Sequence, residues 1–496
     1  MNRTIACLSI AAAALASAAC STYQPGPGAA DRTPYECTRD FAQGFEPLEI
    51  DGAIRDLRFS PDCRSMLAVD QAGQLTVTDL AKRSSRIVAD GVQTAWFTAD
   101  GQRVLFTRRE QDADALYLAQ DDSIHAVSAD ASWIVDSPDG GSVLFKSGLD
   151  PETGDGRLVA ALFGAGPPEL RVLAEGVAGA PAYSTDGATA VYFDGPVRQA
   201  HETPQMSCWW RTADMRAADL ASGESRLLAA SILEYGKMVS ADGQHIYASR
   251  DYDCESQTES LLRLPLDGGP AETLAAVPTY WSAGHDLLET QDAKYVLHSS
   301  FGEDAPGEYR AQLWLTGTDG ASARLLANDL VNYMFTCMYI IPFQLASERT
   351  VLYLTDGELD IEAVDLADGW TRTVGSAAGS MFFAPSPDGR SVLSLQAVEG
   401  EQSCMLLAPL DGGSPRRIAE SLVTLDWPAW SPSGERILAM LRQPDAADAA
   451  GVYSVNVADG LARRVDAGAW DSFVVHPGGW LVALRRSDRV RLAPVP

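Results

Sequence analysis

The 496 residues carry 38 Lys and Arg against 67 Asp and Glu, a formal net charge of −29. A surface this acidic argues against nucleic acid and against electrostatic docking on anionic lipid; it suits plain solubility, basic partners or divalent cations. With 46% hydrophobic and 8% aromatic residues, the chain can bury a large core and lacks the composition of a disordered one.

Residues 1–20 read as a targeting segment. Arg3 supplies the positive start, and the apolar run 5–16 is too short to span a bilayer. Leu15-Ala16-Ser17-Ala18-Ala19-Cys20 follows. Small residues directly before a cysteine resemble the bacterial lipoprotein signal, which implies that Cys20 is lipidated and becomes the new N-terminus. Ser17 stands where that signal usually has Leu. Ordinary secretory cleavage after Ala16-Ser17-Ala18 is the alternative, and either route takes the mature chain out of the cytoplasm. Residues 21–44, opening with the Pro- and Gly-rich stretch 21–31, form a flexible tether.

From residue 45 to 496 one phrase recurs: an apolar strand, a Ser-Pro-Asp-Gly turn and a second apolar strand. Phe383-Ala384-Pro385-Ser386-Pro387-Asp388-Gly389 leading into Val392-Leu393 is the clearest copy. Further copies turn at Ser60-Pro61-Asp62-Cys63, Thr98-Ala99-Asp100-Gly101, Ser137-Pro138-Asp139-Gly140, Ser184-Thr185-Asp186-Gly187, Ser240-Ala241-Asp242-Gly243, Ser431-Pro432-Ser433-Gly434 and His476-Pro477-Gly478-Gly479. Worn copies lie at Thr290-Gln291-Asp292-Ala293 and Ala346-Ser347-Glu348-Arg349. Pro presets the backbone angle of the turn, Asp bonds its own backbone, and Gly takes positive φ cheaply. A third strand, a second turn and a fourth strand follow each copy, often with a basic residue near the start of the fourth. Arg416-Arg417 and Arg463-Arg464 are examples, and Glu272-Thr273 is a copy without one. The period is that of propeller blades. The chain is therefore expected to be all-β: a β-propeller of about ten four-stranded antiparallel blades, in one closed ring or, alternatively, two tandem smaller rings. The last unit lacks a fourth strand, and residues 46–50 are a spare strand that would complete it and leave no long exposed edge.

Six cysteines remain beyond Cys20. An even number in an exported chain favours disulfides, and the repeat map suggests Cys37–Cys63, Cys208–Cys254 and Cys337–Cys404; free buried thiols are the alternative.

The Ser-Pro-Asp-Gly phrase, the Asp-Gly-Gly turn and the basic fourth strand together resemble the propeller repeats of TolB and of prolyl oligopeptidase-type enzymes, over nearly the whole mature chain. The resemblance implies binding of proteins or peptides at a propeller face in the cell envelope. TolB has a separate N-terminal α/β domain, and residues 21–53 do not accommodate one. The hydrolase domain of the oligopeptidases carries a Gly-x-Ser-x-Gly elbow; Gly375-Ser376-Ala377-Ala378-Gly379 has its Ser in the wrong place.

The six histidines (His125, His201, His245, His285, His298, His476) show no metal-ligand spacing. His245 near Asp251 and Asp253 is the one local acid–His cluster, and residues 150–156 have some of the oxygen ligands of a calcium loop without its full spacing. Trp209, Trp210, Trp281, Trp427 and Trp430 could line a sugar- or peptide-binding face or pack between blades. No catalytic residue, cofactor or metal is assigned. The expected function is that of a non-enzymatic, monomeric envelope lipoprotein, held to the membrane by its lipid, whose propeller binds a protein or peptide partner. The alternative is an enzyme of the propeller type, such as a polysaccharide lyase, with its site at the ring centre; a calcium-dependent adhesion surface is a third reading.

Overall fold

The computed structural model describes residues 45–199, 211–233, 237–253, 258–278, 287–290, 292–305, 308–320, 323–330, 343–355, 359–377, 382–398, 402–419, 423–424, 427–443, 446–468 and 470–495. Within them the chain forms forty β-strands and no helix. They group into the ten expected four-stranded antiparallel units. In unit 1 the strands Ile54–Phe59, Ser65–Asp70, Leu75–Asp79 and Ser84–Ala89 pair in order.

Second strands are buried on both faces: Met66, Leu67, Ala68 and Val69 are all enclosed. Such strands read as continuous apolar runs because a neighbouring sheet covers each face. In the separate four-stranded sheets the fourth strand is an edge strand, and Ser84–Ala89 is largely exposed.

The strand expected over 46–50 is found at Leu48–Asp51. It pairs with Arg489–Pro494 in the register Leu48↔Leu492 and Ile50↔Val490, so it completes the sheet of unit 10 from the other end of the sequence. One expectation needs correction. The ten units do not make ten separate sheets but seven, because units 3 to 5 share one ladder and units 8 and 9 another. The strand Glu169–Tyr183 is the last of unit 3 and the first of unit 4 at once, turning at Gly176 and Gly179, both at positive φ. Where no slack separates two units, ladder hydrogen bonds run on across the joint.

Apolar clusters fill the spaces between consecutive units. Units 4 and 5 share Phe193, Met215 and Ile232 with Ile246, Leu262 and Leu264. Ala483, Val490 and Leu492 of unit 10 pack with Ile54, Phe59 and Met66 of unit 1, so the last unit meets the first.

Two polar devices reinforce these spaces. The first is a stack of the first turns. Ser386 donates from Oγ to Asp388 Oδ1 (2.6 Å) and accepts from the Ser391 N–H (3.0 Å), and Asp388 accepts from the Arg390 N–H. These bonds, the Ser386 hydroxyl first, hold the Asp388 carboxyl below its usual range. Each turn glycine faces the turn of the preceding unit: a Cβ on Gly140 would stand 2.6 Å from the Asp100 nitrogen, and one on Gly389 would stand 2.4 Å from the Ala346 carbonyl. The Asp of the repeat thus serves the turn, and the Gly serves both φ and close approach.

The second device explains the basic fourth strand. Arg226 donates to the Leu266 carbonyl (2.6 Å) and Arg324 to the Leu366 carbonyl (2.6 Å), each reaching the second turn of the next unit. Arg171 reaches Leu220 and Ala221 in the same way, and Arg416 reaches Val457. Each arginine side chain lies against a positive-φ glycine of that turn, through its Cδ methylene at Gly223 and Gly268 and through its guanidinium at Gly369 and Gly460.

Candidate functional site

In an antiparallel four-stranded unit the first and second turns share one end. The connection from second to third strand, and the connection to the next unit, share the other. Stacking of the first turns sets all units the same way round, so the long connections gather at one end of the molecule. Residues 148–155 belong to this loop-bearing end; residues 200–210 lie outside the described residues.

Trp133 stands there, at the start of the first strand of unit 3, Ser132–Asp136. It is 54% exposed, and its φ is 50°. The register against Ser142–Ser147 shifts between Ser132 and Val135, so the left-handed residue sits in a bulge. A bulky side chain in this backbone region is an outlier that persists only when its surroundings fix it. What fixes it is Lys146. This side chain is buried, donates from Nζ to the Gly154 carbonyl (2.9 Å) and the Gly179 carbonyl (3.3 Å), and lies over the indole at 5.6 Å from the ring centroid. One ammonium therefore ties together the bulge, the loop 148–155 and the start of unit 4. Leu149, in the same loop, is 40% exposed. Asp130 accepts from the Gly148 N–H (2.7 Å) and sets the start of that loop.

A second constellation forms on the first strands of units 1 to 3. Arg58 pairs with Asp56 at 3.3 Å. Near it stand Trp96 and Asp136, and one Asp136 carboxylate oxygen is enclosed with no hydrogen-bond partner. Burial pushes the Asp136 carboxyl up to about 6; a Trp96 hydrogen bond and the Arg58 charge act the other way and offset only part of it. Equivalent positions before the turn hold Phe59, Phe97 and Tyr183. A carboxylate where several other units carry an aromatic ring is a signal that lining up the copies exposes, and unit 6 carries a second one, the buried Glu289. Nothing in the sequence marks Trp133 or Lys146, whose setting depends on a bulge and on the next unit.

His476 occupies the turn-serine position of unit 10. It is fully buried, accepts at Nδ1 from the Gly478 N–H (3.0 Å), and its Nε2 lies 3.1 Å from the Cys63 carbonyl of unit 1. Phe59 and Trp480 pack on the ring. With Nδ1 accepting, Nε2 carries the proton and donates across the joint. Burial drives this imidazole down to about 4, against a smaller opposing effect of the Cys63 carbonyl.

The other sequence-based candidates fall out as follows. His245, Asp251 and Asp253 do not cluster. His245 opens the strand His245–Asp253, Asp251 and Asp253 near its far end lie about 20 and about 26 Å away, and the imidazole lies 3.6 Å from Asp242 of its own turn instead. In the 150–156 loop, Asp150 Oδ1 accepts from the Glu152 N–H (2.7 Å) and the Thr153 N–H (3.2 Å), so this carboxylate caps its loop. Trp430 donates to the Ala384 carbonyl (3.2 Å) between units 8 and 9, and Trp427 is half exposed beside Phe382. Cys63 is disulfide-bonded. Cys404, expected to pair with Cys337, is a free thiol packed in the strand Gln402–Pro409, where a small apolar side chain fits. Cys20, Cys37, Cys208, Cys254, Cys337, Trp209, Trp210 and Trp281 lie outside the described residues.

No protein-family model matches the chain, and no curated protein matches it. Among solved structures it is similar to an oligogalacturonate lyase in complex with manganese, at 12% identity over 74% of this chain and 97% of that one, with a TM-score of 0.35. An oligogalacturonate lyase from Vibrio parahaemolyticus is similar at 11% identity over 64% and 97%, with a TM-score of 0.33. A protein described as TolB from Agrobacterium tumefaciens is similar at 18% identity over 51% and 87%, with a TM-score of 0.28.

Proposed function

We propose that the ten units close into a single propeller ring and that this propeller is the binding module of a non-enzymatic envelope lipoprotein, anchored through Cys20. Its partner, a protein or peptide, docks on the loop-bearing end around Trp133 and Leu149. The observation that carries this reading is Trp133 itself: an indole more than half exposed, held in a left-handed bulge by a buried lysine. Rigid, half-exposed aromatic side chains are the usual anchors of protein contacts. The pairing of Leu48–Asp51 with Arg489–Pro494 and the packing of unit 10 on unit 1 support a closed ring. The test is capture of crosslinked partners from envelope extract with the full chain and with Trp133→Ala. A partner captured by the first and lost by the second supports the proposal; identical capture profiles overturn it.

The constellation of Asp56, Arg58, Trp96 and Asp136 favours one second reading, an enzyme such as a polysaccharide lyase with its site on the first strands. A carboxyl titrating near 6 beside an arginine suits proton transfer. Release of unsaturated sugars from acidic polysaccharides, abolished by Asp136→Asn, would establish it.

A further inference from the structure

We infer that the segment recognised at Trp133 is basic, a lysine- or arginine-rich stretch carrying an aromatic or aliphatic side chain. This rests on the binding face proposed above and adds the chemistry of its occupant. The apolar surface of Trp133 and Leu149 is rimmed by carboxylates. Asp114 lies beside it, since its carbonyl accepts from the Ala131 N–H (2.8 Å), and Asp130 reaches Gly148. Asp112, Asp150 and Glu152 are exposed at the tips of the adjoining connections.

The local cations are largely engaged. Arg109 pairs with Asp114 at 3.1 Å, and Lys146 is buried under the indole; Arg109 and Arg157 are both exposed. An incoming ammonium or guanidinium therefore meets the exposed carboxylates of Asp112, Asp150 and Glu152 and the exposed indole together, and both favour a cation. The net charge of −29 adds long-range attraction of the same sign.

The experiment uses the full chain and three fluorescein-labelled peptides of one Leu/Trp pattern, with Lys, Ser or Glu at the remaining positions, read by fluorescence anisotropy. The expected result is tightest binding of the Lys peptide, about tenfold or more over the Ser peptide, with the difference shrinking as salt shortens the screening length from about 10 Å to about 3 Å. Trp133→Ala should weaken Lys-peptide binding about tenfold. The paired charge reversal Asp112→Lys with Glu152→Lys, at two exposed tips, should remove most of the preference for Lys over Ser. Equal binding of the Lys and Ser peptides, both lost in Trp133→Ala, overturns the basic-partner inference and leaves the binding face standing. Lys-peptide binding indifferent to both variants overturns the inference and the site together.

Discussion

The joint between units 4 and 5 and the joint between units 5 and 6 follow one plan and differ in their fastening. At the first, Arg226 reaches across to the Leu266 carbonyl, and its methylenes lie against Gly268. At the second, the equivalent residue is Glu272. It turns back onto its own sheet to bond Arg263 (2.6 and 3.0 Å), and among the described residues nothing lies within 4 Å of where a Cβ on Gly320 of the next unit would stand. The first turns differ too. Gly243 faces Thr185 of unit 4, whereas the equivalent turn position of unit 6 holds Ala293 at a φ of 54°. The contrast teaches that an apolar space suffices to stack two units, and that the repeat's Arg and Gly add fastening on top. A single change of charge sign converts a bond between units into a bond within one.

The largest expected effect concerns a third kind of fastening, the neutral imidazole that joins units 10 and 1. An arginine clasp holds its charge over the whole working range of pH; His476 does not. Its folded-state value, about 4, lies below the ordinary 6.5. The folded state therefore binds fewer protons between those values, and stability falls by about 3 kcal/mol as pH drops from 6.5 to 4. Asp136 runs the other way. Raised from 3.8 to about 6, it costs stability at neutral pH, and that cost disappears on acidification, so the two nearly cancel in the native protein. In Asp136→Asn the cancellation is gone. Denaturant melts should show that variant more stable at pH 7 and losing about 3 kcal/mol more than the native protein between pH 7 and 4. Parallel pH profiles would contradict both assignments.

Breaking the clasp itself comes next. Arg226→Ala removes a charged donor and leaves the Leu266 carbonyl short of a partner, a loss of about 2 kcal/mol in urea unfolding. Glu272→Ala removes only a partly exposed ion pair within one sheet and should cost no more than about 0.5 kcal/mol. Equal losses would mean that the fourth-strand arginine is not a fastener. Installing the missing parts at the weaker joint is the smallest change. Arg263→Ala with Glu272→Arg should raise stability by about 1 kcal/mol, and Ala293→Gly by up to about 1 kcal/mol through relief of left-handed backbone. Glu272→Arg without Arg263→Ala should gain less, because it sets two guanidiniums side by side across the ladder.

Much of this architecture can be read from residue order. The Ser-Pro-Asp-Gly copies place every unit, since turn chemistry is local and each residue type there has one conformational task. The spare strand at the N-terminal end is legible as well, because a unit short of one strand asks for it. The His245 group shows where such reading fails: neighbours along a strand are carried apart by about 3.3 Å per residue, so nearness in sequence does not gather side chains. The role of the basic fourth strand is invisible for a related reason, since its acceptor lies about 40 residues away in the next unit.

What the sequence settled by itself is the all-β class, the number of repeated units and the service of Asp and Gly in their turns, all consequences of local backbone preference and a two-residue alternation. Tertiary structure alone decided which units share a ladder, which arginines cross a joint and which do not, and that Lys146 is buried beneath an exposed Trp133. Those outcomes depend on distances between separate sheets, and no local preference encodes a distance.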